Sequence, residues 1–178
     1  GFDPRRDSGN LQGVLVMSRV LVAYFSASGV TEHTAKVVAK AVGADVFEIR
    51  PVEPYTRADL NWTNKQSRSS VEMNDPESRP AIRETVDNIS QYDVVFIGFP
   101  IWWYVEPRII DTFLESCDLS GKTVVLFATS GGSGIQKAQN SIKAHCPGKT
   151  NILQGKLLNC SASEAAAWAR DVLDKLGG

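Results

Sequence analysis

The feature that most constrains the fold is a set of three short, nearly uninterrupted apolar runs, each followed by a segment with helical spacing. The runs cover residues 19–25 (RVLVAYF), 92–99 (YDVVFIGF) and 122–129 (KTVVLFAT). Runs of this length, rich in β-branched and aromatic residues, predict strands that are buried on both faces. The helical spacing predicts helices over residues 31–42, 107–117 and 134–145. Strands and helices that alternate in this way predict a parallel sheet covered by helices on both sides.

Two weaker patterns complete the predicted α/β sheet. Residues 45–50 form a more polar strand, expected nearer an edge, and residues 152–158 offer a fifth strand. The last helix is predicted over residues 161–176, with Ser161 as its N-cap and Glu164 as the capping-box partner three residues later.

Two segments fall outside this alternation. Residues 1–16 are mostly polar and have no period, so we predict a disordered extension or an expression remnant ahead of one folded domain, residues 17–178. Residues 51–80 form a polar stretch longer than an ordinary connection. We expect a short helix around residues 57–72, within either a surface excursion or a lid over a ligand site.

The composition limits the functions that this domain can serve. Nineteen basic against twenty acidic residues give a net charge of −1, which argues against a nucleic-acid or anionic-membrane binder, because both need a basic surface. No apolar run approaches the roughly 20 residues of a membrane span. The three cysteines are widely spaced, so neither a disulfide framework nor a structural metal site is expected, and the cytoplasm is the predicted compartment.

The first candidate site follows the first predicted strand. Ser26, Ser28 and Thr31 surround Gly29 in a hydroxyl-rich turn that leads into a helix. Such a turn offers hydroxyl donors, backbone N–H groups and the positive end of the helix dipole, which together suit a phosphate. N-capping alone explains the same residues equally well. The turn contains no lysine or arginine, and the GxxxxGK[ST] and GxGxxG patterns of nucleotide-binding loops are absent after this strand.

Two further segments follow the third and fourth predicted strands. Residues 100–104 (PIWWY) favour a platform for a flat aromatic ligand, although a packed patch or a partner interface remains open. Residues 130–134 (SGGSG) allow the backbone to approach a ligand, or form a plain turn. Because ligands of open parallel sheets bind beyond the carboxyl ends of the strands, the three segments together predict a flat heterocycle with a single phosphate.

At these segments the sequence resembles the flavodoxin family. Residues 26–31 match the family's phosphate-loop pattern [ST]-x-[ST]-G-x-T, and residues 98–115 (GFPIWWYVEPRIIDTFLE) are similar to members in which PIWW borders the flavin. Residues 130–134 match the loop on the pyrimidine side of the ring. The resemblance runs from about residue 19 to residue 176. It implies a doubly wound, five-stranded parallel sheet of order 2-1-3-4-5 between two helical layers, with FMN as the cofactor.

The resemblance also implies a role for each segment. The phosphate would be held by Ser26, Ser28, Gly29, Val30 and Thr31. The flavin ring would be lined by Pro100, Ile101, Trp102, Trp103 and Tyr104, and its polar edge approached by Ser130, Gly131 and Gly132. Tyr104 is the one candidate catalytic residue.

The implied function is that of a redox protein that carries electrons or hydride through bound FMN. Its partner is a redox protein or a small-molecule acceptor, and an NAD(P)H-dependent quinone or small-molecule reductase is the alternative. A flavin-free binding module on the same fold is a further alternative. Two departures from the family pattern bear on one-electron carriage: Trp103 and Tyr104 stand where many flavodoxins have a glycine whose peptide flips, and the net charge is nearly neutral rather than strongly acidic.

Overall fold

Successive strands pair side by side in one parallel sheet in the computed structural model, which describes residues 19–130, 134–146 and 148–177. The strands are β1 (Val20–Tyr24), β2 (Asp45–Glu48), β3 (Val94–Pro100), β4 (Thr123–Thr129), β5 (Asn151–Ile152) and β6 (Lys156–Leu157). Their order is β2-β1-β3-β4-β5, with β6 also paired to β4. This confirms the predicted order. The predicted extension, residues 1–16, lies outside the described residues.

Helices cover both faces of the sheet. They are α1 (Val30–Val42), α2 (Arg68–Met73), α3 (Arg108–Ser116), α4 (Gln136–His145) and α5 (Ala162–Gly177). Side chains of α1 and α5 share one core with the sheet, and side chains of α3 and α4 share the other. No helix in the described ranges is both long and apolar enough to span a bilayer.

Successive side chains of a strand point alternately into the two cores. In β1, Leu21 and Ala23 belong to the α3–α4 side, whereas Val22 and Tyr24 belong to the α1–α5 side. All four side chains are buried, as expected for a strand covered on both faces. The predicted N-cap of α5 is also present, because Ser161 Oγ accepts a hydrogen bond from the Glu164 N–H at 3.2 Å.

Two predicted elements differ from the structure, while every other predicted strand and helix begins and ends within two residues of its predicted position. A short 3-10 helix, Ile89–Gln91, was not predicted. The predicted fifth strand, residues 152–158, is divided into β5 and β6. Gly155 lies between them, and its N–H donates to Gln139 Oε1 at 2.6 Å instead of joining the sheet. A Cβ on Gly155 would lie 3.0 Å from Ile135, so the backbone passes close to α4 there.

The helix predicted over residues 57–72 is the second difference, because only α2 forms. Ahead of α2, polar side chains bond to nearby backbone groups and so compete with helical hydrogen bonds. Thr56 and Asp59 bond to each other's N–H groups at 2.9 and 3.1 Å, and Asn64 Oδ1 accepts from the Gln66 N–H at 3.0 Å. The segment is therefore a series of turns that ends in one short helix.

Candidate functional site

The three segments that the sequence singled out follow β1, β3 and β4, which are neighbours and end at the same edge of the sheet. The Phe25 N–H donates to the Gly98 carbonyl oxygen at 3.0 Å, which joins the ends of β1 and β3. The Ile101 N–H donates to the Thr129 carbonyl oxygen at 2.9 Å, which joins the ends of β3 and β4. The strand order thus brings together the predicted phosphate turn, the ring-side segment and Ser130, the first residue of the glycine-rich segment.

The phosphate turn, residues 26–31, leaves the start of α1 open. Gly29 is the N-cap with a φ of 94°, and no side chain among the described residues caps the helix. Its own N–H donates to Ser26 Oγ at 3.0 Å. Ser28 and Val30 are exposed beside it. Since the first N–H groups of a helix have no partner within the helix, they are available here to an anion.

Thr31 occupies a different place from the rest of the turn. It is 2% exposed, and its Oγ1 lies 2.9 Å from Oγ1 of Thr129 at the end of β4. A hydroxyl has one hydrogen, so the Thr31 hydroxyl can donate to a ligand only when Thr129 is the donor in this pair. Sequence reasoning missed Thr129, because nothing in its local sequence indicates a contact with the phosphate turn.

The ring-side turn, residues 102–105, is held by two backbone hydrogen bonds. The Trp102 N–H donates to the Val105 carbonyl at 3.0 Å, and the Val105 N–H donates to the Trp102 carbonyl at 3.1 Å. Trp103 and Tyr104 between them have φ values of 49° and 74°, as in a type I′ turn. Trp103 and Tyr104 therefore already adopt the positive φ that residues with a Cβ disfavour. Their side chains are exposed, by 41% and 58% respectively.

Trp102 forms a fixed wall behind this turn. Its ring centre lies 5.7 Å from that of Phe25 and 5.5 Å from that of Tyr55, and Phe25 and Tyr55 are themselves 5.6 Å apart. All three contacts are edge-to-face, an arrangement favoured for aromatic pairs. Tyr55 belongs to the long connection, residues 51–80, and it is a contact that sequence reasoning missed.

A partly buried ion pair lies behind Tyr55 in the long connection. The Tyr55 hydroxyl donates to Glu72 Oε1 at 2.5 Å, and Arg68 Nε donates to Glu72 Oε2 at 2.9 Å. The guanidinium carbon of Arg68 lies 3.9 Å from the centre of the Tyr55 ring. Burial, followed by the hydrogen bond to Glu72, raises the pKa of Tyr55. The connection is therefore fixed at this point.

Beyond the turn, the same connection reaches a cavity. Trp62, which is 72% exposed, lines a space of about 330 Å³ together with Ile101, Trp102, Trp103 and Tyr104. The long connection thus contributes an aromatic side chain to the predicted ring-side region. Arg68, from the same connection, lies against Tyr55 and does not line this cavity.

The segment after β4 is described only in part, since Gly131 and Gly132 lie outside the described residues. Ser130 is held by Asn159, whose Oδ1 accepts from the Ser130 N–H at 3.0 Å and whose Nδ2 donates to the Ser130 carbonyl at 2.7 Å. Asn159 is a further site residue without a sequence signal. On the other side, Lys137 Nζ lies 5.0 Å from the centre of the Tyr104 ring.

Arginines lie near the phosphate turn although the turn itself has none. A second cavity, of about 200 Å³, is lined by Ser26, by Arg50 and Arg83, and also by the acidic residue Glu48. Arg50 is paired with Glu84, with 2.7 Å between Nη2 and Oε1. The arginines come from the segments after β2 and before β3, so only the folded chain reveals them.

Comparison with known proteins gives consistent results. A sequence profile described as Flavodoxin matches residues 19–172. Flavodoxin 1 of Escherichia coli (strain K12) is 26% identical over 110 residues, which cover 60% of this chain and 46% of that protein. The chain thus spans about half the length of the curated relatives it matches.

Solved structures agree with the profile. The crystal structure of a candidate flavoprotein from Bacteroides eggerthii DSM 20697 is 53% identical, with a TM-score of 0.83 over 89% of this chain and 99% of that one. A flavoprotein in complex with FMN from Lactobacillus acidophilus NCFM is 21% identical, with a TM-score of 0.66 over 86% of this chain and 99% of that one. At 21% identity, the second likeness shows the fold alone.

Proposed function

The chain belongs to the flavodoxin family, whose cofactor is FMN, and we propose that it is a redox protein that holds FMN beyond the carboxyl ends of β1, β3 and β4. One observation supports this most: an uncapped helix start and an exposed aromatic turn lie at the same edge of the sheet. Bound FMN supplies the electron or hydride transfer, while the protein positions the ring.

In this proposal the phosphate turn binds the phosphate group. Ser26 and Ser28 offer hydroxyl groups, and Gly29, Val30 and Thr31 offer backbone N–H groups at the positive end of α1. The space around Gly29 fits this role, because a Cβ built on it meets no atom of the described residues within 4 Å.

The ring-side residues have two separate tasks. Pro100, Ile101 and Trp102 form a wall that is packed into the fold, since all three are only partly exposed. Trp103 and Tyr104 project from the turn and offer exposed aromatic faces to the flavin or to its reaction partner. We propose that the backbone of Ser130, Gly131 and Gly132 approaches the polar edge of the ring.

The cavity beside the ring-side turn favours a second, finer function, that of an NAD(P)H-dependent reductase of quinones or similar small molecules. Its volume of about 330 Å³ and its aromatic lining suit a flat acceptor. A net charge of −1 gives little steering toward a basic protein partner. Tyr104, exposed at this cavity, is the proposed proton donor, and Tyr104→Phe should slow quinone reduction without weakening FMN binding.

The test of the proposed function is the visible absorption spectrum of the purified protein, before and after FMN is added and the excess removed. Retained flavin absorbance supports a redox protein. A colourless protein whose melting temperature does not rise with FMN would instead support a flavin-free binding module. Steady NAD(P)H oxidation with a quinone then supports the reductase. Accumulation of the one-electron-reduced flavin during a reductive titration supports a carrier.

A further inference from the structure

One face of α4 lies along both the ring-side turn and α3. Side chains four residues apart form this face, because such residues are neighbours on a helix. Three contacts make up the row: Lys137 with the ring of Tyr104 (5.0 Å), Ser141 with Glu106 (2.8 Å) and His145 with Asp111 (3.7 Å).

The contacts of Ser141 and His145 surround a pair of buried carboxyl groups. Glu106 and Asp111 are both 0% exposed, and one side-chain oxygen of each and a nitrogen of His145 lie within 4.8 Å of one another. Ser141 Oγ donates to Glu106 Oε2. Within the described part of the chain, Glu106 Oε1 and both Asp111 oxygens have no hydrogen-bond partner. Among the described residues, the two adjacent carboxyl groups accept only the Ser141 hydrogen bond, so a pair of ionised carboxylates here is strongly unfavourable and a proton between them would stabilise the pair.

A shared proton fits this place better than a metal ion. His145 Nδ1 lies 2.8 Å from the Ser141 carbonyl, which can only accept, so this nitrogen has its hydrogen and no lone pair for a metal. Arg108 Nη1 lies 3.8 Å from Asp111 Oδ2, and Arg79 Nη2 lies 3.4 Å from His145 Nε2. These guanidinium groups repel a cation. One proton on the pair, together with Arg108, leaves the group neutral.

The surroundings of Glu106 are consistent with a retained proton. Burial, followed by the adjacent carboxyl group of Asp111, raises the pKa of Glu106 to about 9. Other charged or titratable groups face the pair from neighbouring elements: Arg108 on α3, His145 on α4, Cys146 after α4, and Arg79, itself paired with Glu115.

Glu106 also connects the pair to the ring-side turn. Its neighbour Val105 closes that turn through two hydrogen bonds with Trp102, and Pro107 on its other side is the N-cap of α3. Glu106 thus lies in the chain between the ring-side turn and α3, and its side chain contacts α4 through Ser141.

We propose that Glu106 and Asp111 share one proton and that Glu106 is thereby a positioning residue for the ring-side turn. While the proton is bound, Glu106 donates to Asp111, accepts from Ser141, and keeps the turn docked on α4. When the proton is lost to water, two adjacent negative charges repel each other and the turn loosens. The effect on the flavin rests on the proposed function, whereas the shared proton does not.

The sign of the pH effect follows from the two pKa values. A glutamate with an ordinary pKa near 4.5 when unfolded and about 9 when folded binds its proton more tightly in the folded state. The free energy of unfolding therefore falls as the pH rises from about 4.5 to about 9. Glu106→Gln removes this part of the pH dependence, because its amide donates to Asp111 and accepts from Ser141 without titrating.

The experiment compares the wild-type chain with Glu106→Gln and with Asp174→Asn, which neutralises an exposed carboxylate on α5. Melting temperature without flavin, and FMN affinity, are measured between pH 6 and 9. In the wild type and in Asp174→Asn, the melting temperature should fall across this range and FMN affinity should weaken about threefold or more. In Glu106→Gln both curves should be clearly flatter, and at pH 8 the variant should melt above the wild type.

The outcomes separate the parts of the proposal. Equal slopes of melting temperature in the wild type and Glu106→Gln overturn the shared proton, and this comparison is valid even if the protein binds no FMN. A flattened melting curve with unchanged pH dependence of FMN affinity overturns the link to the turn. If Glu106→Gln does not fold, infrared spectroscopy of the wild type at pH 8 decides: a protonated carboxyl band supports the shared proton, and its absence overturns it.

Discussion

The hydroxyl groups of Thr31 and Thr129 lie 2.9 Å apart in a buried contact between the start of α1 and the end of β4. Because β3 lies between β1 and β4, this bond crosses the end of the central strand. It joins the phosphate turn to the strand that leads into Ser130. Two parts of the proposed FMN site are thus held in register by one pair of side chains.

Removal of this bond should destabilise the protein. Thr129→Val keeps the shape of the side chain but leaves the Thr31 hydroxyl buried without its partner, at a cost of about 1–2 kcal/mol in the free energy of unfolding. Urea denaturation measures this. The control is Thr123→Val at the other end of β4, where the hydroxyl is less buried and its bond to Asn151 is long, at 3.4 Å. Equal losses in the two variants would contradict a special role for the pair.

The ring-side turn should be strained at Trp103, whose φ is 49°. Trp103→Ala removes the ring but keeps the Cβ, whereas Trp103→Gly removes both. We expect the glycine variant to be about 1 kcal/mol more stable than the alanine variant, because only glycine adopts a positive φ without a penalty. Urea denaturation of the flavin-free protein gives the difference. Both variants should bind FMN more weakly than the wild type, and an alanine variant as stable as the glycine variant would show that the turn is unstrained.

The hydrogen bond between Tyr55 and Glu72 should stabilise the long connection. Tyr55→Phe keeps the ring against Phe25 and Trp102 but leaves Glu72 Oε1 without its hydroxyl donor, so the free energy of unfolding should fall by about 2 kcal/mol. Tyr104→Phe is the matched control, since the Tyr104 side chain is mostly exposed and its loss of a hydroxyl should change stability little. A Tyr55→Phe variant as stable as the control would contradict this role.

The sheet was predictable because its information is local. β1, β3 and β4 are short apolar runs rich in β-branched and aromatic residues, which favours buried strands, and their order followed from the family resemblance. The divided fifth strand was not predictable, since its cause is a bond from the Gly155 N–H to Gln139, sixteen residues away in the chain. A short apolar stretch gives no indication of such a bond.

In the candidate site, too, the residues indicated by local sequence were predicted and those held by long-range contacts were not. The phosphate turn follows β1 directly, so its residue pattern indicated it. Thr129, Tyr55 and Asn159 take part only through contacts with distant segments, and their own sequence neighbourhoods are unremarkable for those roles. Glu106 was missed for a further reason: carboxylates are rarely fully buried, so a glutamate beside a proline is expected at the surface.

The most direct test of the account is a pair of titrations, with FMN and with riboflavin, followed by flavin fluorescence. The wild type should bind FMN at least about tenfold more tightly than riboflavin, because only FMN has the phosphate that the start of α1 attracts. Ser28→Asp places a negative charge in the exposed phosphate turn and should abolish that preference while riboflavin still binds. Equal affinity of the wild type for the two flavins, or an unchanged preference in Ser28→Asp, would contradict an FMN site at this edge of the sheet.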